Sequence, residues 1–465
     1  MDKEMQDLTT DVAFDIREKG QAEAAALAGA FDQLPIYMPE IECMDREALR
    51  ELQLRKLKEQ VSYTYDNVAF YRELMDGMGI TPEDIQTLDD VSKLPFTDKS
   101  ALRETFPFGM FAVPIEDIVE LHASSGTTGK PIVVGYTQDD MDVWSECIAR
   151  LVQMASVLPG DVAQMAFGSG MFTGGFGLHY GLQRLGCAMI PAGSGNTERH
   201  INMIEDYGTT VLIATPSYAM HICEVGEQMG YDWKSSPLRV GLFGGEPCPP
   251  ALKDEIERRM HIVCTDNYGL TEVMGPGVSG ECLAHRDQQH IAEDHFLWEV
   301  VDPETGEPVP DGEMGELVLT PLDKHGIPVL RYRTHDLTRV VTERCECGRT
   351  MARMDKVRSR CDDMLIIRGT NVFPSQIEDV LKDVEEVTPH YRIIVEKKGG
   401  MDALTVETEI RPEAFSDSFE EMKAIKDNVK AKLDGTLLVG VNVKLVEPGG
   451  IERTAGKAKH VLDLR

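Results

Sequence analysis

Thr210-Val211-Leu212-Ile213-Ala214-Thr215 is a short, uninterrupted apolar run, typical of a strand that is buried on both faces of a sheet. Similar runs lie at 162–167, 188–191 and 240–243. Helical patterns and glycine-rich turns separate these runs, and strands that alternate with helices favour a parallel sheet with helices on both faces. The sequence therefore predicts an α/β fold built on a mostly parallel sheet.

The character of the sequence changes near residue 300. Residues 300–307 carry a hairpin signal and 315–320 alternate as a strand does, so we expect a β-rich portion there. In the last hundred residues we expect a small α+β domain led by a strand at 364–367, with further strands at 391–395, 404–408 and 441–446 and helices at 377–384 and 419–433. We therefore predict an N-terminal extension at 1–45, a large domain at 46–361 and a small C-terminal domain at 362–465.

The composition excludes several classes of partner. The chain has 465 residues with 47 basic and 79 acidic ones, so its formal net charge is −32. A field of this sign repels nucleic acid and anionic membranes. The N-terminus has no apolar run behind it, and no segment reaches the ~18 apolar residues of a membrane span. The 10 cysteines are scattered, as in reduced proteins, and a cytoplasmic location is expected.

The motif with the strongest chemical signal is Ser124-Ser125-Gly126-Thr127-Thr128-Gly129-Lys130-Pro131. A tight loop of hydroxyls, glycines and one lysine can offer backbone N–H groups and a positive charge to phosphate oxygens. The P-loop of nucleoside triphosphatases has four residues between its glycines and a Ser or Thr after the lysine. Here two residues separate the glycines and a proline follows, so the loop predicts a phosphate site of another kind.

Three further motifs carry polar groups that suit a nucleotide. In Tyr268-Gly269-Leu270-Thr271-Glu272, the threonine can contact phosphate and the glutamate can bind a magnesium ion. In Tyr332-Arg333-Thr334-His335-Asp336, the aspartate can accept hydrogen bonds from ribose, although an isolated aspartate more often belongs to a turn. Arg453-Thr454-Ala455-Gly456-Lys457-Ala458-Lys459 is a basic stretch that, alone, is typical of a solvated tail.

In this order, the four motifs resemble those of the adenylate-forming enzymes, which comprise acyl-CoA synthetases, luciferases and peptide-synthetase adenylation domains. The phenylacetate-CoA ligase family is more similar still. Its sequence blocks resemble Asn67 to Tyr71, Leu94-Pro95-Phe96-Thr97, Phe172-Thr173-Gly174-Gly175, Gly244-Gly245-Glu246-Pro247 and Arg368-Gly369-Thr370-Asn371-Val372-Phe373-Pro374. The resemblance runs from about residue 46 to Arg465, and it implies a large adenylate-forming domain with a small mobile lid.

The resemblance implies an ATP-dependent ligase that joins an aryl acid to coenzyme A in two half-reactions. A carboxylate oxygen attacks the α-phosphate of ATP and gives an acyl-adenylate and pyrophosphate; the thiol of coenzyme A then displaces AMP. Such chemistry depends on positioning and charge stabilisation more than on acid–base catalysis. The small domain takes a different orientation in each half-reaction by turning on a hinge, which the resemblance places at Asp362.

The resemblance also implies roles for individual residues. The catalytic ones are Lys457, which bridges the acyl carboxylate and the α-phosphate, Thr271, which contacts that phosphate, and Glu272, which binds magnesium. The nucleotide-binding ones are Ser124, Ser125, Gly126, Thr127, Thr128, Gly129 and Lys130 at the β,γ-phosphates, Gly245, Glu246, Pro247 and Tyr268 at the adenine, and Asp336 and Arg360 at the ribose. The acyl pocket is placed at Tyr136, Phe172 and Gly174.

A thiol pair, Cys345 and Cys347, indicates a metal site outside this machinery. With Cys282 and one imidazole, the pair would complete a tetrahedral Cys₃His zinc site. His285 and His290 both qualify as the fourth ligand, and the resemblance favours His290. Four protein ligands leave no open position, so the zinc would be structural. The alternative is a set of free cysteines in a loop.

The expected partners are an aryl carboxylic acid, ATP and coenzyme A, and a homodimer stays open. By the resemblance, phenylacetate is the leading acid, and Gly174 and Gly175 would leave room for its planar ring; indole- or hydroxyphenylacetate and benzoate stay open. A second interpretation keeps adenylation but passes the acyl group to a carrier-protein thiol, or makes an adenylated cofactor. A third is a non-catalytic nucleotide-binding module. A zinc hydrolase is disfavoured, because the proposed ligand set is closed.

Overall fold

The computed structural model describes residues 34–123, 131–168, 173–246, 248–357, 359–361, 365–367, 370–398, 401–416, 418–437, 439–451 and 460–464. Most of the N-terminal extension lies outside these ranges. No helix in the described part of the chain combines the length and the apolar character that crossing a bilayer requires.

Helices and strands alternate through most of the chain. The helices are α1 (Pro39–Glu42), α2 (Arg46–Asn67), α3 (Ala69–Met78), α4 (Lys99–Glu104), α5 (Gln138–Met154), α6 (Thr173–Leu185), α7 (Thr197–Tyr207), α8 (Pro216–Gln228), α9 (Pro250–Met260), α10 (Pro374–Lys382) and α11 (Phe419–Leu437), with 3₁₀ turns at Pro82–Asp84, Leu88–Lys93, Ile115–Asp117 and Trp233–Ser235.

The strands fall into a large-domain set and a C-terminal set. They are β1 (Glu120–Ala123), β2 (Val133–Tyr136), β3 (Val162–Met165), β4 (Ala188–Ile190), β5 (Val211–Ala214), β6 (Val240–Phe243), β7 (Val263–Leu270), β8 (Gly275–Gly280), β9 (Gln288–Ile291), β10 (Phe296–Val301), β11 (Gly315–Pro321), β12 (Tyr332–Thr338), β13 (Val340–Val341), β14 (Arg353–Asp355), β15 (Ser359–Arg360), β16 (Leu365–Ile367), β17 (Thr370–Val372), β18 (Val387–Lys398), β19 (Met401–Ile410), β20 (Val441–Val446) and β21 (Val461–Asp463).

Nine strands form a mixed sheet in the order β13-β14-β9-β8-β7-β6-β5-β3-β4, and the five from β7 to β4 run parallel. Successive residues of β5 enter two different apolar cores: Val211 and Ile213 pack in one, Leu212 and Ala214 in the other. This alternation follows from the two-residue period of a strand and places apolar layers on both faces. The predicted parallel core of the α/β fold is confirmed.

The β-rich portion is also confirmed. The strands β7, β8, β9, β14 and β13 pair antiparallel, as do β10, β11, β12 and β15 in a separate four-stranded sheet. The predicted turn after residue 300 lies between β10 and β11, where Val301 bridges Pro308. Short antiparallel strands can be joined by tight turns, so this part of the chain needs no crossover helices.

The N-terminal helix α2 joins the chain's first described residues to this body. Its N-terminus is capped by Asp45, and Leu57 and Val61 are buried in the main core as the helical period predicts. Glu42, the last residue of α1, is fully buried and pairs with Arg349. The end of the N-terminal extension is therefore packed against the segment that carries the thiol pair.

The small C-terminal domain folds around its own core, with α10 and α11 packed on a sheet of order β20-β19-β18-β21. The helices and strands predicted from periodicity are present. The strand expected at the start of the domain, β16, does not join this sheet. It pairs with β17 in a separate two-stranded ribbon. Its place in the sheet is taken by β21, which runs parallel to β18 and is too short to stand out in the sequence.

Contacts between acidic and basic side chains join the domains in the described part of the chain. His390 Nε2 lies 3.7 Å from Glu224 Oε1 and Arg411 Nη2 lies 3.6 Å from Glu255 Oε2. In both pairs the acid belongs to the large domain and the base to the small one. Such partly exposed pairs contribute little free energy individually, so the contact can break when the domains move.

Candidate active site

Several residues with predicted roles lie outside the described ranges: the whole loop from Ser124 to Lys130, with Phe172, Pro247, Asp362 and Lys457. The roles assigned to them stay predictions. The other predicted nucleotide-binding residues are described, and most of them converge where β7, β8 and β12 meet.

Tyr268, Asp336 and Arg360 form one hydrogen-bonded group. The hydroxyl of Tyr268 donates to Asp336 Oδ2 at 2.5 Å, and Arg360 Nη1 donates to Asp336 Oδ1 at 3.1 Å. Asp336 and Arg360 face each other because they are register partners on β12 and β15. Asp336 is only 6 % exposed and lies within a strand, so it is not the turn residue that an isolated aspartate most often is.

The electrostatics of this group keep the phenol protonated. Burial and the adjacent Asp336 carboxylate raise the pKa of Tyr268 well above its usual value. Burial also raises the pKa of the neighbouring Tyr332, with Glu272 adding to the effect. Asp336 therefore lies between a neutral donor, Tyr268, and a cation, Arg360. A carboxylate held in this way can accept hydrogen bonds from two vicinal hydroxyls.

Thr271 and Glu272 occupy the turn between β7 and β8. The hydroxyl of Thr173, at the start of α6, donates to that of Thr271 at 3.0 Å. Glu272 is 6 % exposed, and its Oε1 lies 3.3 Å from Nζ of Lys99. A largely buried carboxylate in a turn that also carries a threonine hydroxyl can bind a cation and the oxygens of a phosphate.

Two buried aromatic residues support this turn from behind. Tyr136 donates from its hydroxyl to the Met274 carbonyl at 2.8 Å, and Trp144 donates from its indole to the Pro276 carbonyl at 2.7 Å. Gly275 lies between them at φ +109°, and a Cβ there would come within 2.6 Å of Thr173 and of the Trp144 ring. Only glycine combines this backbone conformation with such close packing.

The predicted acyl-pocket residue Tyr136 has no exposed surface in this structure. Its ring stacks on Trp144 with a centroid distance of 4.8 Å, and Lys324 Nζ lies 3.5 Å from the same centroid. Burial lowers the pKa of Lys324 to about 8. Gly174 lies in the first turn of α6, beside Thr173. Tyr136 thus supports the Thr271–Glu272 turn, and its place in an acyl pocket stays a proposal.

The predicted adenine-side residues lie in the loop that follows the carboxyl end of β6. Gly245 follows β6 with φ +82°, and Glu246 accepts a hydrogen bond from the Ser217 backbone N–H at 2.8 Å. Ser217 lies in the first turn of α8, so the Glu246 carboxylate stabilises that helix end. The loop after β6 is thereby held at the carboxyl end of the parallel strands, where ligands bind in open α/β sheets.

The predicted metal ligands Cys282, His290, Cys345 and Cys347 are all buried and converge, with their ligand atoms within 4.8 Å of one another. Sγ of Cys282 and of Cys345 are 3.7 Å apart, and Cys347 Sγ is 3.4 Å from His290 Nε2. Bonds of about 2.3 Å to sulfur and 2.0–2.1 Å to nitrogen in a tetrahedron give separations of about 3.8 Å and 3.6 Å. The observed spacing fits a zinc ion.

Local contacts prepare these ligands. Gly348, at φ +90°, turns the chain so that its N–H donates to the Cys345 carbonyl. The Cys347 N–H points to Cys345 Sγ at 3.5 Å. Hydrogen bonds from the Cys282 and Cys345 thiols hold the pKa of Cys347 well below its usual range. The structure thus pre-forms a tight turn that presents two sulfur ligands side by side.

The structure distinguishes between the two histidines. His290 Nδ1 lies 3.1 Å from the Met351 carbonyl, to which it can donate, so that Nε2 can serve as a ligand. His285 instead pairs with Glu346 and its side chain is 33 % exposed. Of the two candidates, His290 is the one placed among the three cysteines.

Sequence reasoning missed Lys99, Thr173 as a hydroxyl donor, and Trp144 as a support. Thr173 lies within one of the sequence blocks that resemble the family, and Lys99 lies two residues after another. That position was the one signal that could have indicated a role for them. No local pattern could connect Lys99 with Glu272, because their contact depends on how β12 and the β7–β8 turn pack.

Comparison with known proteins supports one family. The family model described as AMP-binding enzyme matches residues 58–320, and that described as AMP-binding enzyme C-terminal domain matches residues 369–465. The phenylacetate-coenzyme A ligase of Aromatoleum evansii is 46 % identical over 91 % of this chain and 96 % of its own length. The phenylacetate-coenzyme A ligase of Escherichia coli K12 is 45 % identical over 91 % of this chain and 97 % of its own length.

Solved structures agree with this assignment. A 2-hydroxyisobutyryl-CoA ligase in its postadenylation state, bound to 2-HIB-AMP, superposes with a TM-score of 0.86 at 27 % identity over 92 % of both chains. The same ligase in complex with 2-HIB-AMP and CoA, in its thioesterification state, superposes with a TM-score of 0.68 over 91 % of both chains. The arrangement of the two domains here is thus nearer to the postadenylation one. This chain belongs to the AMP-binding enzymes and, within them, to the phenylacetate-CoA ligase family.

Proposed function

We propose that this protein is an AMP-forming acid–thiol ligase that activates an aryl acid of the phenylacetate type with ATP and transfers it to coenzyme A. Identity above 40 % with phenylacetate-coenzyme A ligases over nearly the whole chain carries the proposal. The convergence of Tyr268, Thr271, Glu272 and Asp336 agrees with it. A nucleotide could contact all four at once.

The resemblance to the family, together with the geometry of the described residues, supports a division of labour within adenylation. Asp336 and Arg360 bind the ribose hydroxyls, and Tyr268 lies along the base. Thr271 contacts the α-phosphate, at which the acid carboxylate attacks as pyrophosphate leaves. Lys457 neutralises charge between these two groups, and the loop 124–130 binds the departing phosphates. Each contribution is electrostatic or positional, as expected of phosphoryl transfer.

Glu272 is the proposed magnesium ligand. Its carboxylate is largely buried and follows Thr271 directly in the turn between β7 and β8, and magnesium prefers carboxylate and phosphate oxygens. When bound, the ion would offset the negative charge of the triphosphate. Zinc is the second proposed metal, held by Cys282, His290, Cys345 and Cys347 in a closed, structural site. It would fasten β9 and the segment that follows β8 to the loop before β14.

Thioester formation requires a second arrangement of the domains in this proposal, with a hinge at Asp362. The interdomain pairs Glu224–His390 and Glu255–Arg411 belong to the present arrangement. Their modest strength suits a rotation in every turnover.

The proposed function is tested with a panel of acids and purified protein. Phenylacetate, hydroxyphenylacetate, indoleacetate and benzoate, with 2-hydroxyisobutyrate as an aliphatic control, are supplied with ATP, Mg²⁺ and coenzyme A. We expect thioester formation with an aryl acid and little with the aliphatic one. AMP release that does not depend on coenzyme A would favour another acceptor, and no pyrophosphate from any acid would contradict ligase function.

Replacing Asp336 with asparagine should weaken binding of both ATP and AMP about tenfold or more. The exchange removes the charge that pairs with Arg360 and would accept from ribose, and a hydrogen bond to a charged group contributes about 1.5–3 kcal/mol. Calorimetric titration with each nucleotide measures the effect. Asp355→Asn, which removes a carboxylate that pairs with another arginine, Arg339, is the control. Unchanged affinity in Asp336→Asn would contradict the ribose assignment.

A further inference from the structure

Lys99 is the one cation that the described residues place against the Glu272 carboxylate. The distance from its Nζ to Glu272 Oε1 is 3.3 Å, and the lysine side chain is 41 % exposed while that of the glutamate is 8 % exposed. The amine therefore approaches an inner carboxylate from the solvent side. The neighbouring cation Arg360 is engaged by Asp336, and Lys324 is buried behind Tyr136.

The backbone that precedes Lys99 is fixed to the site by Thr97. The Thr97 N–H donates to the Arg331 carbonyl at 3.1 Å, and the Arg333 N–H donates to the Thr97 carbonyl at 2.8 Å, so Thr97 pairs with the start of β12. The Thr97 hydroxyl donates to the Leu330 carbonyl at 2.6 Å and contacts the Tyr71 hydroxyl. The same strand carries Asp336, so Lys99 and the ribose-binding carboxylate belong to one rigid frame.

A merely structural pair would not need this placement. A partly exposed lysine–glutamate pair contributes about 0–1 kcal/mol, whereas the clamp on Thr97 uses buried hydrogen bonds to place the lysine at the nucleotide side of the turn. Lysine has a flexible stem and a compact charge with rotatable donors, so it can leave one anion for another nearby. The anion that would arrive next to Glu272 is a magnesium-bound triphosphate.

We propose that Lys99 is a further nucleotide-binding residue, which neutralises Glu272 before the nucleotide binds and then binds the β- or γ-phosphate. The inference rests on the proposed role of Glu272 as magnesium ligand. Phosphate oxygens that shared an ion with Glu272 would lie near Lys99, because its Nζ is 3.3 Å from the Glu272 carboxylate. Lys99 would also bind the pyrophosphate product, which carries the same two phosphates.

The inference is tested by comparing nucleotides that differ in those phosphates. In Lys99→Met, affinity for Mg·ATP and for magnesium pyrophosphate should fall at least tenfold, while affinity for AMP should stay within about twofold, because AMP lacks both phosphates. Isothermal titration of the full-length protein without acid substrate measures all three. Lys99→Arg, which keeps the charge, should retain Mg·ATP binding within about threefold.

Lys93→Met is the matched control, because Lys93 is an exposed lysine at the end of the 3₁₀ turn Leu88–Lys93 and pairs with Asp90 instead. It should bind all three ligands like the wild type. Equal Mg·ATP affinity in wild type and Lys99→Met would overturn the inference, as would an equal loss of AMP and ATP binding, which would indicate a distorted site. If the wild type itself failed to bind Mg·ATP, the proposed function would fail instead, so the two failures are distinguishable.

Discussion

A Lys457→Ala variant should lose acyl-adenylate formation by a factor on the order of 10²–10³, because removing one preformed group that stabilises transition-state charge has effects of this size. Thioester formation from supplied acyl-adenylate and coenzyme A should change by less than about threefold. The reason is that the lysine is proposed to act between the acyl carboxylate and the α-phosphate, and that bond has already formed in the supplied adenylate.

Two separate assays measure these half-reactions. Pyrophosphate release from ATP and phenylacetate reports adenylation, and thioester appearance from synthetic phenylacetyl-adenylate reports transfer. Lys459→Ala is a matched control, since it removes an equal charge from the same basic stretch and should leave both rates near those of the wild type. Equal loss of both half-reactions in Lys457→Ala would count against the assigned role.

The second large effect is expected at the cysteine–histidine cluster. Purified protein should contain about one zinc per chain, and Cys345→Ala should lose it and melt about 10 °C or more below the wild type. Structural zinc supplies apparent binding energies of about 10–16 kcal/mol in small peptides, and in larger domains each kcal/mol moves the melting temperature by about 2–4 °C. Elemental analysis and differential scanning fluorimetry provide the two readouts.

Cys187→Ala is the control for this experiment, because Cys187 is also a buried free cysteine but lies outside the cluster. It reports the cost of removing a buried thiol without touching a ligand. A strong chelator should lower the melting temperature of the wild type and leave that of Cys345→Ala unchanged. Absence of zinc from the wild type, together with an unchanged melting temperature in Cys345→Ala, would contradict the metal proposal.

Much of the fold could be predicted because its signals are local. The apolar run from Val211 to Ala214 indicates a strand without reference to the rest of the chain, and the helical period at Leu57 and Val61 indicates one buried face. The family was also accessible from short motifs and is confirmed by the comparisons. Prediction failed at the small domain's sheet, where β21 rather than β16 completes it, because strand pairing depends on long-range packing.

The sequence by itself determined the α/β class, the family and the chemical type of each candidate residue, since these depend on patterns that span a few residues. The tertiary structure alone decided which groups meet. It paired Asp336 with Arg360 through strand register, placed His290 rather than His285 among the three cysteines, and brought Lys99 to Glu272. Contacts between distant segments are set by sheet order and core packing, and no local pattern of residues encodes them.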